Sequence, residues 1–247
     1  YLNGSLTITP AVLTVTANDA SREYGDANPT FDASFVGFKN GETLGTSDVA
    51  GSPDVSTLAD ATSPVVGGPY AIIASAGTLS SGNYVFAFQG GSLAVTPAML
   101  TVTADAQTRE YGDANPSLTA TVTGFKNGEM LGTSDVLGSP DLSTLADPTS
   151  PVIGSPYAIS TAPGTLASGN YACSFVPGSL TVTPATLTIH ADDQTREYGD
   201  ANPTLTATLS GFKNGEALAT SDVTGSPDLA TLADPSRAST SARSTAS

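Results

Sequence analysis

Arg22-Glu23-Tyr24-Gly25-Asp26-Ala27-Asn28-Pro29 returns as residues 109–116 and again as residues 196–203, at a spacing of 87 residues both times. A period of that size marks a tandem array of folding units. The period reaches well beyond the octapeptide. Gly37-Phe38-Lys39-Asn40-Gly41-Glu42 recurs at 124–129 and 211–216. Thr46-Ser47-Asp48-Val49, Gly51-Ser52-Pro53-Asp54 and Leu58-Ala59-Asp60 recur in the same register. Residues 107–136 and 194–223 agree at 25 of 30 positions, which points to duplication of one unit. A catalytic centre is normally made once, whereas a stalk or a multivalent surface is made many times.

The joints are short. Thr9-Pro10-Ala11, Thr96-Pro97-Ala98 and Thr183-Pro184-Ala185 separate the copies. Pro fixes its own φ and biases the residue before it to extended geometry, so neighbouring units are expected to couple stiffly into an elongated, monomeric rod. The domain reading is as follows: residues 1–10 are the last strand of a truncated preceding repeat, and 11–97 are repeat 1. Residues 98–184 are repeat 2, and 185–235 are an incomplete repeat 3. Residues 236–247 contain only Ser, Ala, Thr and Arg and read as a disordered low-complexity tail. The expectation is a fragment of a longer surface protein. A unit of this length supports its own small core, with a radius of gyration of about 12 Å. Repeat 3 should expose a sheet edge, which Leu6-Thr7-Ile8 of a second molecule would partly cover.

Within a unit the pattern is β. Leu13-Thr14-Val15-Thr16-Ala17 alternates apolar residues with Thr, giving one buried and one wet face. Further alternating sets are Phe31/Ala33/Phe35, Tyr70/Ile72, Tyr84/Phe86/Phe88 and Leu93/Val95. Asn28-Pro29, Lys39-Asn40-Gly41, Ser81-Gly82-Asn83 and Gly90-Gly91 are the turns between them, where Asn and Gly accept positive φ. A unit therefore has about five strands by this pattern, with one short helical turn between Glu42 and Val49.

The charge balance excludes some partners. Eight Lys and Arg stand against 23 Asp and Glu, for a net charge of −15. Such a surface repels nucleic-acid phosphates and anionic membranes, so neither nucleic-acid binding nor membrane insertion is expected. One Cys allows no internal disulfide. There is no run of 18 apolar residues and no signal peptide.

No enzyme is expected, and no catalytic, cofactor-binding or metal residue is assigned. His190 is the only histidine, on the outward side of a first strand where the other copies carry Thr16 and Thr103. Cys173 replaces Phe86 at an inward position, where it fills core and should leave repeat 2 underpacked. Asn18-Asp19, Asp105, Asp192-Asp193 and Glu23 to Asp26 are oxygen donors of the kind Ca²⁺ prefers, yet no Asp-x-Asp-x-Asp-Gly loop accompanies them. The Tyr-Gly-Asp-Ala-Asn-Pro element has two readings. In one it is a structural turn with the ring packed and its hydroxyl on a backbone partner. In the other it is a repeated contact point for a glycan or protein. Arg22-Glu23 is expected to form a cross-strand ion pair.

Four elements together carry a resemblance: Tyr-Gly-Asp-Ala-Asn-Pro, Gly-Phe-Lys-Asn-Gly-Glu, the Asn-Tyr strand at 83–84 and 170–171, and the closing Gly-Ser-Leu-Thr-Val-Thr-Pro at 178–184. The set resembles the MBG domain of the Tyr-Gly-X type, found in large bacterial surface and adhesin-like proteins, over residues 10–235. The resemblance implies a small β-rich module, Ig-like or β-grasp-like, in tandem on a secreted chain. It implies adhesion or display at the bacterial cell surface, without cofactors and without a catalytic residue. The expected function is a non-catalytic repeat segment of an extracellular surface protein, acting as stalk or multivalent adhesion module. The alternative is a dedicated module for host or environmental glycans or surface proteins, with weak Ca²⁺ binding. With no Trp and most of the 8 Tyr and 8 Phe on alternating inward positions, the first reading is preferred.

Overall fold

The computed structural model describes residues 4–234, and all regular structure among them is β. Repeat 1 contributes β1 (Ala11–Ala17), β2 (Ala20–Glu23), β3 (Ala33–Val36), β4 (Asp54–Thr57), β5 (Tyr70–Ser75), β6 (Tyr84–Gln89) and β7 (Gly91–Thr96). Repeat 2 contributes β8 (Ala98–Ala104), β9 (Gln107–Glu110), β10 (Ala120–Thr123), β11 (Asp141–Thr144), β12 (Tyr157–Ala162), β13 (Tyr171–Val176) and β14 (Gly178–Thr183). Repeat 3 contributes β15 (Thr188–Ala191) and β16 (Ala207–Ser210). The chain divides into two compact units. One comprises Tyr1–Asp105, Thr119–Ser143 and Ser160–Pro177; the other comprises Ala106–Leu118, Thr144–Ile159 and Gly178–Ser247.

In the first unit, repeat 1 is a sandwich of two sheets. One has the order β3-β1-β6, with β1 antiparallel to β3 (Thr14↔Val36 to Ala17↔Ala33) and parallel to β6 (Ala11↔Tyr84 to Thr16↔Gln89). The other has the order β2-β7-β5-β4. There β7 runs antiparallel to β5 (Tyr70↔Leu93) and parallel to β2 (Ala20↔Leu93 to Glu23↔Thr96). The apolar members of the alternating strands face each other. Leu13 and Val15 from one sheet and Ile72 and Leu93 from the other are fully buried. Each such side chain contributes about 1.5–3 kcal/mol by leaving water. The Thr side chains between them keep the opposite face wet. The same unit holds the sheet β10-β8-β13 of repeat 2, in which Leu100 and Val102 are fully buried.

The second unit holds the sheet positions of β14 and β9, with β14 antiparallel to β12 (Tyr157↔Leu180) and parallel to β9 (Leu180↔Gln107 to Thr183↔Glu110). Ile159 and Leu180 are fully buried. It also holds the antiparallel pair β15–β16, Thr188↔Ser210 to Ala191↔Ala207. Ile189, at the position that Val15 and Val102 occupy in the other copies, is 55% exposed.

Several expectations need correction. A complete repeat has seven strands, not five. The two overlooked strands, β2 and β4, read Ala-Ser-Arg-Glu and Asp-Val-Ser-Thr and are too short and polar to show an apolar period. The absence of a helix from repeat 1 makes it a two-sheet sandwich, so of the two module types expected the Ig-like one describes it. Between Glu42 and Val49 a single turn closes, with Ser47 N–H on the Thr43 carbonyl at 2.9 Å. No helix forms from it, because the Thr46 hydroxyl accepts from Thr43 N–H (2.8 Å) and competes with propagation. Phe31 lies outside β3, and Phe88 is 37% exposed at the far end of β6. Residues 4–10 form no strand, with Leu6 and Ile8 at 89% and 88% exposure. Their counterparts in β7 and β14 are paired on both edges by strands of their own repeat, and no such neighbours flank residues 4–10 among the described residues. The tail expected at 236–247 lies outside the described residues.

Candidate functional site

The octapeptide is a strand followed by a turn. On β2, adjacent residues point to opposite faces, so Arg22 turns inward and Glu23 outward. Arg22 is 7% exposed. Its Nε donates to Asn28 Oδ1 at 2.8 Å, one terminal nitrogen to the Glu23 carbonyl at 3.0 Å, and the other to the Asp60 carbonyl. Asn28 in turn donates to the Ala59 carbonyl at 2.6 Å. The expected Arg22–Glu23 ion pair does not form. The guanidinium instead ties the octapeptide to the Leu58-Ala59-Asp60 segment. Arg109, Asn115, Ala146 and Asp147 repeat the arrangement in the second unit.

This clamp presents Tyr24, Gly25 and Asp26 to the next repeat. The Tyr24 hydroxyl donates to Glu129 Oε1 at 2.6 Å, and Tyr171 donates to the other oxygen of the same carboxylate at 2.7 Å. The Tyr171 hydroxyl also accepts from Lys126 N–H at 3.0 Å. Lys126 Nζ sits 2.8 Å from Asp26 Oδ1 and 3.8 Å from Glu23. Asn127 donates to the Ala61 carbonyl at 3.3 Å, and Val65 N–H donates to Asn170 Oδ1 at 2.9 Å. The Tyr24 and Tyr171 rings meet edge to face at 5.4 Å, a favoured aromatic geometry. Beneath them lies a shared apolar cluster that includes Val95, Ala98, Leu100 and Val136. Gly25 is required twice. Its φ is +83°, and an added Cβ would lie 2.2 Å from Lys126 Cβ.

The second unit contains the same joint one period later. Tyr111 donates to Glu216 at 2.7 Å, Lys213 binds Asp113 at 2.9 Å and Glu110 at 3.4 Å, and Asn214 donates to the Pro148 carbonyl at 3.2 Å. The electrostatics follow the contacts. The hydrogen bond to Glu129 holds the Tyr24 hydroxyl above the ordinary phenol range. Burial, and then Glu129, push Tyr171 up to about 12. The bond to Asp26 holds the Lys126 ammonium above the usual lysine range. The tyrosine ring of the octapeptide thus packs as the structural reading required, but its hydroxyl meets a carboxylate of the neighbouring repeat instead of its own backbone.

The other residues singled out from the sequence are placed apart. Asp19 accepts from the N–H and hydroxyl of Ser92 (2.7 and 2.8 Å), and these bonds lower its pKa. Asn18 donates to Asp32 at 2.8 Å. Asp105 accepts from the Thr119 and Thr121 hydroxyls, and Asp192 from Thr208. These acids cap turns and strand ends, and among the described residues no three His, Cys, Asp or Glu side chains converge as metal ligands. Cys173 is half-buried against the shared cluster, and burial raises its thiol pKa. His190 is exposed on β15. The partners missed from sequence were Lys126 and Glu129. Their signal was available: one Lys per repeat in a strongly acidic chain, always at a fixed distance from the acid-rich octapeptide.

Among solved structures, the crystal structure of the I9–I11 tandem from titin is similar at 14% identity, covering 72% of this chain and 69% of that one, with a TM-score of 0.24. No curated protein matches the chain in sequence. The MBG domain (YGX type) matches residues 13–94, 100–181 and 187–244. With its Tyr-Gly-Asp turns docked on successive copies and three matches spanning most of its length, the chain belongs to the MBG domain (YGX type) family.

Proposed function

We propose that the chain is a non-catalytic repeat segment of a secreted bacterial surface protein, serving as a stalk or as a multivalent adhesion module. The observation that carries the reading is where the repeated chemistry goes. The most regular polar side chains of each repeat, Tyr24, Asp26, Lys126 and Glu129, are spent on one another at a joint. A dedicated binding module would aim such groups outward at a ligand. A chain of this kind projects or spaces whatever it is joined to, and low-affinity contacts on its faces gain by being repeated.

The test has two arms. Antibodies raised against the chain should label intact cells of the source bacterium, and labelling only after lysis would remove the surface assignment. A glycan array probed with the whole chain should show no single dominant ligand. One tight, selective glycan would move the assignment to a dedicated recognition module.

A further inference from the structure

Repeat 1 carries the receiving half of a joint with nothing in it. Tyr84 donates to Glu42 at 2.5 Å and accepts from Lys39 N–H at 2.9 Å, as Tyr171 does with Glu129 and Lys126. Phe38 meets the Tyr84 ring edge to face at 5.7 Å, and Phe125 meets Tyr171 the same way at 5.6 Å. Asn40 has φ +56° and Asn127 has φ +55°. The filled and empty sockets are therefore built alike. In the empty one a cleft of about 510 Å³ opens beside Lys39, Glu42 and Tyr84, with Ile8 and Thr9 along one wall. Lys126 and Lys213 each bind two carboxylates, whereas Lys39 has no ion-pair partner among the described residues.

Repeat 3 carries the opposite half. Arg196 holds Asn202 (2.8 Å) and the Glu197 and Asp234 carbonyls, so its octapeptide is folded as in the other copies. Yet Tyr198 is 71% exposed where Tyr24 is 4% exposed, and a Cβ on Gly199 would meet nothing within 4 Å. Asp200 has no ion-pair partner among the described residues, unlike Asp26 and Asp113.

We propose that the cleft at Lys39, Glu42 and Tyr84 docks the Tyr198-Gly199-Asp200 loop of a second copy of this chain, forming a head-to-tail joint. The argument is complementarity already realised twice within one molecule: the filled joints show the same loop seated on the same socket. Both halves hold their docked conformation before they meet, so association orders little. A second element agrees with the first. In a filled joint the strand leading into the tyrosine runs parallel to β7, Ala20↔Leu93 to Glu23↔Thr96. In the empty joint residues 6–9 stand in the place of Leu93–Thr96 and are unpaired, and residues 194–197 of an arriving copy carry the matching strand. The interface is heterologous, so it propagates into open chains or closes into rings. It replaces the monomer expected from the sequence with concentration-dependent assembly. Inside the chain the tether supplies an effective concentration of about 1 mM, and association in trans is expected on that scale. At 0.15 M salt the screening length of about 8 Å damps the mutual repulsion of acidic chains while sparing a contact pair.

The experiment is sedimentation of the whole chain in that salt, up to about 2 mM, the scale set by the tether. Wild type should associate. Lys39→Asp alone and Asp200→Lys alone should each weaken association more than about tenfold, because each sets like charges against one another. An equimolar mixture of the two variants should associate again, since every mixed contact restores one positive and one negative partner. Lys39→Gln with Asp200→Asn is the companion variant should a charge reversal lower the melting temperature; it should stay monomeric as one species. Monomeric wild type throughout, single variants that associate like wild type, or no recovery in the mixture of folded variants would each overturn the proposal.

Discussion

Substituting Gly25 by Ala separates two costs that the three copies of the octapeptide happen to resolve. The first is backbone strain. Gly25, Gly112 and Gly199 all sit at positive φ, +83°, +85° and +92°, where an L side chain costs about 1–2 kcal/mol. The second is contact across the joint. A Cβ on Gly25 would lie 2.2 Å from Lys126 Cβ and 2.7 Å from its Cγ, and one on Gly112 would meet Lys213 at the same 2.2 Å. These are the root of the lysine side chain, which cannot swing aside without moving its backbone. Forcing such an overlap costs about a further 1–3 kcal/mol. Gly199 faces open space, so Gly199→Ala bears the strain alone. Gly25→Ala should therefore cost about 2–5 kcal/mol, the sum of the two terms, and Gly199→Ala about 1–2. The small entropic benefit of Ala in the unfolded chain is common to both and cancels in the comparison. Urea unfolding of the whole chain, followed by tyrosine fluorescence, gives the two midpoints. Hydrogen exchange over residues 120–130 should quicken in Gly25→Ala and stay unchanged in Gly199→Ala. Equal cost for the two substitutions would refute the claim that Gly25 is held by the neighbouring repeat.

Two further outcomes follow from the same geometry. Arg22→Ala leaves the Glu23 and Asp60 carbonyls and Asn28 Oδ1 without their donor in a buried site, and should cost about 2–5 kcal/mol in thermal or urea unfolding, whereas Arg196→Ala, at an exposed copy, should cost less than about 1 kcal/mol. Stability should also fall in alkali: an unfolded tyrosine ionises near pH 10 but Tyr171 near 12, so the contribution present in full below pH 10 is lost as the pH climbs through about 12, and ultraviolet titration of tyrosinate in wild type and Glu129→Gln should show the window narrowing when the carboxylate is removed.

The parts of the fold legible in the sequence are those where one element suffices. The alternation in Leu13-Thr14-Val15-Thr16-Ala17 places its own buried face, and Leu13 and Val15 are fully buried. Strands β2 and β4 are different, because four polar residues become a strand only through a neighbour. For β2 that neighbour is β7, which follows it by most of a repeat. The joint is harder still, since the acceptor for Tyr24 lies 105 residues away and in another copy. The inward turn of Arg22, by contrast, was within reach of sequence reasoning. Residues adjacent on a strand face opposite sides, so Arg22 and Glu23 cannot both lie on one surface.

Charge explains why the joint takes the form it does. Each joint gathers three carboxylates, Glu23, Asp26 and Glu129, in a chain whose net charge is −15. Left alone, they would push the repeats apart. Glu129 is satisfied by two phenol hydroxyls, which donate without adding charge. The other two carboxylates share a single ammonium, the one Lys that a complete repeat provides. An apolar joint of equal area would cost less in desolvation. It would also slide, whereas a carboxylate held between two tyrosines and an ammonium held between two acids are met together at one register. The same requirement reaches back into the repeat, since the Arg22 clamp fixes the turn that presents Tyr24 and Asp26. The octapeptide is therefore constrained from both sides, by its own fold and by its neighbour, and this double constraint is the physical reason its residues recur unchanged while positions such as Met130 and Ala217 drift.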